Sequence, residues 1–440
     1  MKRTTVIMLL VIASTLVLSA CGGSAPAADT GSGSSDKIVL RLWSHQDPGF
    51  QAANEALIAS FMQEHPNIEV QYETFEYDVY IQTLQTSMPA GTEADVITLF
   101  GTWACDYANG GRLMPVPENV LTYAQAQDMF YPAPLSGYYC NDQLYGLPHE
   151  YNLENGGALM NPALFEAAGL EYPPNWADFN AMVDDAEKMT QFDDSGTMTV
   201  SGFDFITGDA LAFTFLAGIL QQGGDYFAAD GSHFNFDTPE ARNITQLMVD
   251  MVQERKVVDP VLFNDDTNWV GDAFFADKVA IGFVGSWAAA EGPLSYPDFV
   301  FDYLEIPPYF GTENRFAADS GWGNVVSVNT EHPDEAWMLA AYMTTNQQNA
   351  LEWNALSGTI PAMKAVVDNP AELLAKAPYL EATFALLPHG QYIGNLTDRD
   401  QLFYEIIGPH VMDALTGVAT VDEAVTAIND EANAMVDASQ

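Results

Sequence analysis

Apolar positions along this chain repeat with two alternating periods. Residues 37–43, KIVLRLW, form a short apolar run rich in β-branched residues and predict a strand. Residues 50–64 carry Ala53, Leu57 and Phe61 at helical spacing and stop before Pro66. NIEVQY at 67–72 predicts a second strand, residues 77–88 a helix closed by Pro89 and Gly91, and ADVITLF at 94–100 a third strand. This alternation implies parallel strands with helices on both faces.

The middle of the chain is more helical. Asn161 caps a helix that has Pro162 at its first position and Gly169 just past its end. Asn175 is the predicted cap of another, which turns Phe179, Met182, Val183, Ala186 and Met189 to one face. Thr238-Pro239 opens a third, with Ile244, Leu247, Met248 and Met251 inward. KVAIGFVG at 278–285 predicts a buried strand. The Met and aromatic stripes are core positions, and there is no internal repeat.

Ligands of open parallel sheets sit beyond the carboxyl ends of the strands. Four tryptophans occupy such ends. Trp43 is followed by Ser44-His45-Gln46-Asp47. Trp103 follows Phe100, Gly101 and Thr102, and Trp287 follows Gly285-Ser286. Trp322 comes after Asp319 and Ser320, just before the strand NVVSV. An indole among small neighbours is a platform for an apolar face, and the adjacent hydroxyls and carboxylates suit a polar rim. A pyranose has both, which makes carbohydrate the candidate ligand.

Length and charge bound the remaining classes. The 440 residues suffice for two or three domains. With 14 Lys+Arg against 60 Asp+Glu, a formal net charge of −46, the surface repels nucleic acid and anionic headgroups. The same charge motivates a rival reading, a polyamine, peptide or other cationic solute. An enzyme such as a glycosidase would need two carboxylates at a set separation. No nucleophile elbow, Walker loop or His-Glu-x-x-His accompanies them, so no catalytic residue, cofactor or metal is expected. His45 and His149 are expected to be hydrogen-bonded wall groups, not metal ligands.

Lys2 and Arg3 precede an apolar stretch at 6–18, then Leu18-Ser19-Ala20-Cys21, which looks like a lipoprotein signal with Cys21 as the lipidated residue. Residues 22–36 form a small-residue tether. The expectation is a monomer outside the cytoplasm that touches the membrane through its lipid alone. Cys105 and Cys140 remain. Oxidised, they would restrict the unfolded chain by about 3–4 kcal/mol, and two free thiols stay open as the alternative.

Several segments in order resemble the sugar class of extracellular solute-binding proteins, the maltose-binding-like group. They are VLRLWSHQD, SFMQEHPNIEVQYE, MPAGTEADVITL, YANGGRLMPV, YGLPHEYN, MNPALFEAAGLEYPPNWADF, DAFFADKVAIGFVGSWAAA, WGNVVSVNTEHPDEAWMLAAYMTTN and NALSGTIPA. The resemblance implies the α/β two-lobe type II periplasmic-binding fold, ligand held between hinge-linked lobes, and delivery to ABC transporter permease subunits. It implies lobes at 37–150 with 304–345 and 151–303 with 346–440. It brings Trp43 to Asp47, Phe100 to Trp103, Glu150, Tyr151, Asn152, Asp209, Phe213, Ser286, Trp287, Asp319 and Trp322 to the cleft, and Glu73 and Glu76 more weakly. Gly156-Gly157 and Met160 depart from the family pattern, where bulkier strand residues precede a Tyr-Asn pair.

Overall fold

Five strands make the first sheet, in the order Ile68–Phe75, Ile38–His45, Val96–Phe100, Trp322–Val326, Gly146–Pro148. Ile38–His45 pairs in parallel with both neighbours, Ile38 opposite Ile68 and Leu42 opposite Val96. The parallel arrangement read from the sequence holds for these three strands. Trp322–Val326 returns from the other sheet and lies antiparallel, with Trp322 opposite Phe100. The computed structural model describes residues 37–205, 209–260, 270–283, 285–396 and 398–439. Cys21 and the 22–36 tether lie outside the described residues.

Asp47 starts the first helix, Pro48–Glu64, by accepting a hydrogen bond from Phe50 N at 2.7 Å. The helix buries Ala53, Leu57 and Phe61 and packs against Gln347–Ser357, where Trp353 Nε1 donates to Asn54 Oδ1 at 2.9 Å. Residues 347–357 therefore sit on the first lobe, whereas the sequence reading placed 346–440 on the second. Tyr77–Ala90 runs through Pro89 and is closed by Gly91 at φ 67°.

The second sheet runs Asp302–Glu305, Gly157–Met160, Val279–Phe283, Met198–Asp204, Gln191–Phe192. The strand after Gly156 forms despite its glycines because Gly157 admits Tyr303: a Cβ there would stand 2.5 Å from the phenol ring and hydroxyl. Asn161 caps Pro162–Ala167 as read, and Thr238 caps Pro239–Gln253. The helix over Phe179–Met189 is capped by Asp178 instead of Asn175, its carboxylate accepting from Ala181 N at 2.9 Å. Trp176, between the two positions, is held outside the helix by donating from Nε1 to Asp185 at 2.9 Å. Ala210–Gln221 is buried along its whole length.

Chain segments 149–156 and 306–321 connect the two sheets. Phe316–Ala318 pairs in parallel with Gly390–Tyr392, so the connecting chain is braced by the C-terminal region. Gly321 lies at φ 97°, and its carbonyl accepts from Gly101 N and from the Tyr138 hydroxyl, both at 3.0 Å. A Cβ at Gly321 would come within 2.6 Å of the Glu150 carbonyl oxygen. Gly321→Ala is expected to cost on the order of 1–3 kcal/mol in thermal unfolding. Gly110→Ala, at a helix end with φ −71°, serves as the comparison and is expected to change stability by no more than a few tenths.

Candidate functional site

The Val96–Phe100 strand ends where the helix Gly101–Asn109 begins, so Phe100, Thr102 and Trp103 crowd one sheet end. Trp322, across the ladder from Phe100, completes the group. Its ring lies 5.2 Å from Phe100, 5.7 Å from Trp103 and 6.4 Å from Tyr77. His45 stacks on Trp322 at 4.1 Å and fixes its plane. Burial drives the His45 pKa down to about 3, so the imidazole is neutral there. His149 stacks on Trp353 at 4.3 Å, and burial likewise holds it at about 3. Each histidine buttresses a different tryptophan.

Against this aromatic end lies a buried ionic group. Arg399 donates from Nη1 to Asp209 at 3.1 Å and to Asp400 at 2.8 Å. From Nη2 it donates to Asp319 at 2.8 Å and, more closely, to the second Asp209 oxygen. The Tyr404 hydroxyl also donates to Asp209. The guanidinium carbon sits 4.5 Å from the Phe403 ring, 5.7 Å from Phe213 and 6.0 Å from Phe100. Phe100 ends a first-lobe strand and Phe213 lies on a second-lobe helix, so Arg399 is held between the lobes. Glu154, on the first connection, accepts from Trp287 Nε1 at 3.0 Å. Gly285 makes room for it, since a Cβ there would lie 2.4 Å from the carboxylate.

The fields of these groups overlap. Burial pushes the Glu154 pKa well above its usual range, and the charges of Asp209 and Asp319 push it further. Burial raises Asp319 to about 6 against the pull of Arg399. Burial raises the Tyr77 hydroxyl pKa; Arg399 pulls it down while Asp400, Asp209 and Asp319 push it further up. Thr102, buried at 8% exposure, holds a hydroxyl with no hydrogen-bond partner among the described residues.

Several expected residues stand elsewhere. Trp43 is taken up away from the aromatic group: Nε1 donates to Glu73 at 2.5 Å and Arg41 covers the ring at 4.7 Å. Two residues apart on one strand, Trp43 and His45 share a face, but the Trp43 ring packs edge-on to Phe75 at 5.2 Å and has no recorded contact with Trp322. Ser44 is fully buried on the Tyr72 hydroxyl at 2.7 Å. Gln46 is exposed, Asp47 caps its helix, and Glu76 stands at the start of Tyr77–Ala90 without a side-chain cap bond. Tyr151 is buried between Tyr131 and Phe316 and donates to Leu387 O at 3.2 Å. Phe213 is the wall beneath Arg399, with no exposed surface. Ser286 is buried, its backbone N donating to Leu153 O at 3.3 Å. Asn152 hydrogen-bonds Glu154. Cys105 and Cys140 are free thiols in mutual hydrogen-bond contact, not a disulfide. That contact and burial raise the Cys105 pKa, and the same contact lowers that of Cys140.

Glu150 accepts from Trp322 N at 3.1 Å behind the aromatic group. Burial lifts its pKa from 4.5 to about 8. The folded state therefore holds a proton that the unfolded state has released between those values. Stability is full below pH 4.5 and falls as pH rises through about 8. Glu150→Gln removes this term, so melting curves from pH 4.5 to 8 are expected to show the variant gaining on the natural protein as pH rises.

Sequence reasoning missed Arg399, Glu154, Tyr77, Asp400 and Tyr404. Arg399 had a signal: it is one of only 14 Lys+Arg in the chain and is flanked by Asp398 and Asp400.

A family model described as bacterial extracellular solute-binding protein matches residues 43–350. An uncharacterized ABC transporter extracellular-binding protein of Pyrococcus horikoshii is 25% identical over 323 residues, 70% of this chain and 69% of its own. An ABC substrate-binding protein of Listeria monocytogenes, solved in complex with cycloalternan, is similar at TM-score 0.73 and 21% identity, covering 91% of this chain and 99% of its own. The cyclic alpha-maltosyl-1,6-maltose binding protein of Arthrobacter globiformis is similar at TM-score 0.75 and 20% identity, covering 91% and 99%. The two-lobe type II periplasmic-binding fold read from the sequence is the fold of these neighbours.

Proposed function

This chain belongs to the bacterial extracellular solute-binding protein family, and from that premise we propose that its interlobe site captures a carbohydrate and presents it to the permease subunits of an ABC importer. The observation that carries the reading is Trp322 and Trp103, 5.7 Å apart, joined through Phe100 to an ionic group of buried Arg399 and Asp319 with partly exposed Asp209 and Asp400. Indole faces cover the C–H faces of a pyranose, while carboxylates and the guanidinium take its hydroxyls. Trp287 on the second lobe, half-buried and bonded to Glu154, supplies the facing ring. Similar proteins solved with cycloalternan or named for cyclic alpha-maltosyl-1,6-maltose support the same ligand class.

Capture is reversible. Ligand bridges both lobes, biases the connecting segments toward closure, and no bond is broken. The lobes move as 37–150 with 304–345 and 151–303 with 346–440, except that 304–305, paired in the second sheet, travel with the second lobe, and 347–357 and Met363, which pack on the first, travel with it. A dissociation constant near 1 μM corresponds to about −8 kcal/mol. Members of this family act outside the cytoplasm; lipidation at Cys21 tethers this one to its membrane as a monomer.

A thermal-shift screen of mono- and oligosaccharides tests the reading. A saccharide at 100 times its dissociation constant adds about 2.7 kcal/mol of stability. If spermidine or a peptide raises the melting temperature and no saccharide does, the carbohydrate reading is wrong.

A further inference from the structure

Trp287 is fastened to the chain that joins the two sheets. Its indole Nε1 donates to Glu154 Oε1 at 3.0 Å. The backbone N of Ser286, just before it, donates to Leu153 O at 3.3 Å. Leu153 and Glu154 belong to the connecting segment 149–156, so two successive residues of that segment hold two successive residues of the platform turn. Gly285 is the floor of the arrangement. A Cβ there would stand 2.4 Å from the Glu154 carboxylate and 2.4 Å from both Cδ1 and Nε1 of the indole. The pyrrole edge of Trp287 therefore folds back over Gly285 to reach the carboxyl, a pose that needs glycine beneath it.

The two partners differ in burial. Trp287 is half-buried, whereas Glu154 is 5% exposed. A carboxyl taken out of water is costly unless it is hydrogen-bonded, and an apolar side chain would fill the same space without that cost. Burial pushes the Glu154 pKa well above its usual range, so the group is held neutral, and a neutral carboxyl still offers an oxygen to an N–H. The helix Trp287–Ser295 buries Ala288 and Ala289 completely and so anchors the backbone beneath the ring. The direction of the indole is a separate matter, and the Nε1 bond and Gly285 constrain it. Ordering a free side chain at the moment of binding lowers affinity, and a ring already held in place avoids that loss.

We propose that Glu154 is a positioning residue: from the connecting segment it holds the Trp287 indole over Gly285, so that the second-lobe ring is set for a pyranose face before ligand arrives. This rests on the carbohydrate reading and deepens it. Glu154 acts through Trp287, and the platform follows the connecting segment as the lobes close.

The test is a double-mutant cycle on the full chain, read by calorimetric titration with the saccharide of the thermal-shift screen that binds tightest. Glu154→Leu removes the acceptor and is expected to weaken binding about three- to tenfold. Glu154→Gln keeps an acceptor and is expected to recover most of that loss. Trp287→Phe keeps a ring without the N–H, and in that background Glu154→Leu is expected to cost little more. Gly285→Ala displaces the same contact from the other side and carries the cycle if Glu154→Leu does not fold. Indole proton–nitrogen spectra of the ligand-free protein add a readout that needs no saccharide. The Trp287 Nε1–H resonance, identified by its absence in Trp287→Phe, is expected to move in Glu154→Leu and to stay near its natural position in Glu154→Gln. Equal losses of affinity from Glu154→Leu with and without the indole N–H overturn the inference, because Glu154 then acts on the ligand or on the fold at large. An unmoved indole resonance, or affinity unchanged in Glu154→Leu, also overturns it and leaves the carbohydrate reading standing. If no saccharide binds the natural protein, both fall together.

Discussion

Replacing Arg399 by Gln is expected to destabilise the protein by about 3–5 kcal/mol, the range for removing one partner of a buried ion pair. The side chain is 6% exposed and carries its charge between Asp209, Asp319 and Asp400. Without it, three carboxylates face one another in a site ringed by Phe213, Phe403 and Phe100. The loss should depend on pH. Asp319, already raised to about 6 by burial with Arg399 present, moves higher when the guanidinium is gone. A raised carboxyl pKa gives stability that is present at low pH and lost as pH rises. The variant is therefore expected to approach the natural protein as pH falls toward and below 6, read from urea unfolding across that range. A deficit independent of pH would mean that Arg399 acts by packing alone.

Trp322→Ala is expected to weaken carbohydrate binding about 30- to 100-fold, or about 2–3 kcal/mol, the usual loss for a central aromatic anchor. The ring is buried to 8% exposure and held by His45, Phe100 and Trp103. Removing it also loosens its neighbours, so binding is to be measured on protein shown to be folded by circular dichroism. Trp322→Phe keeps an apolar face and is expected to lose less. Trp43→Ala makes the contrast: that ring is packed with Arg41, Glu73 and Phe75, and its loss is expected to lower stability while leaving affinity within a few-fold.

These two cases mark what was legible from the sequence. Periodicity located the strands and helices well because burial writes a regular pattern. The first three strands, the Asn161 and Thr238 caps and the apolar stripe of Phe179–Met189 all appear where the pattern put them. The Asp178 cap was missed, and Asn175 named in its place, because the sequence offers two capping residues three apart and only the packing of Trp176 selects Asp178. Of the residues read at strand ends, Phe100, Trp103 and Trp322 come together, and Asp319 reaches Arg399, whose guanidinium lies 6.0 Å from Phe100. Trp43 and Ser44 met the same rule yet are taken up within their own sheet, Trp43 by Glu73 and Arg41 and Ser44 by the Tyr72 hydroxyl, partners that no strand-end rule reveals. Arg399 was invisible to any strand-end rule. It arrives from a C-terminal segment that returns to the connections beside Gly390–Tyr392, a contact that only tertiary structure brings about.

The account stands most directly on where a saccharide binds. A crystal structure of the protein soaked with the saccharide that gives the largest thermal shift is expected to show a sugar ring against Trp322, with hydroxyls on Glu154, Asp319 or Arg399. A saccharide seated away from these residues, or no saccharide density at saturating concentration, would contradict it.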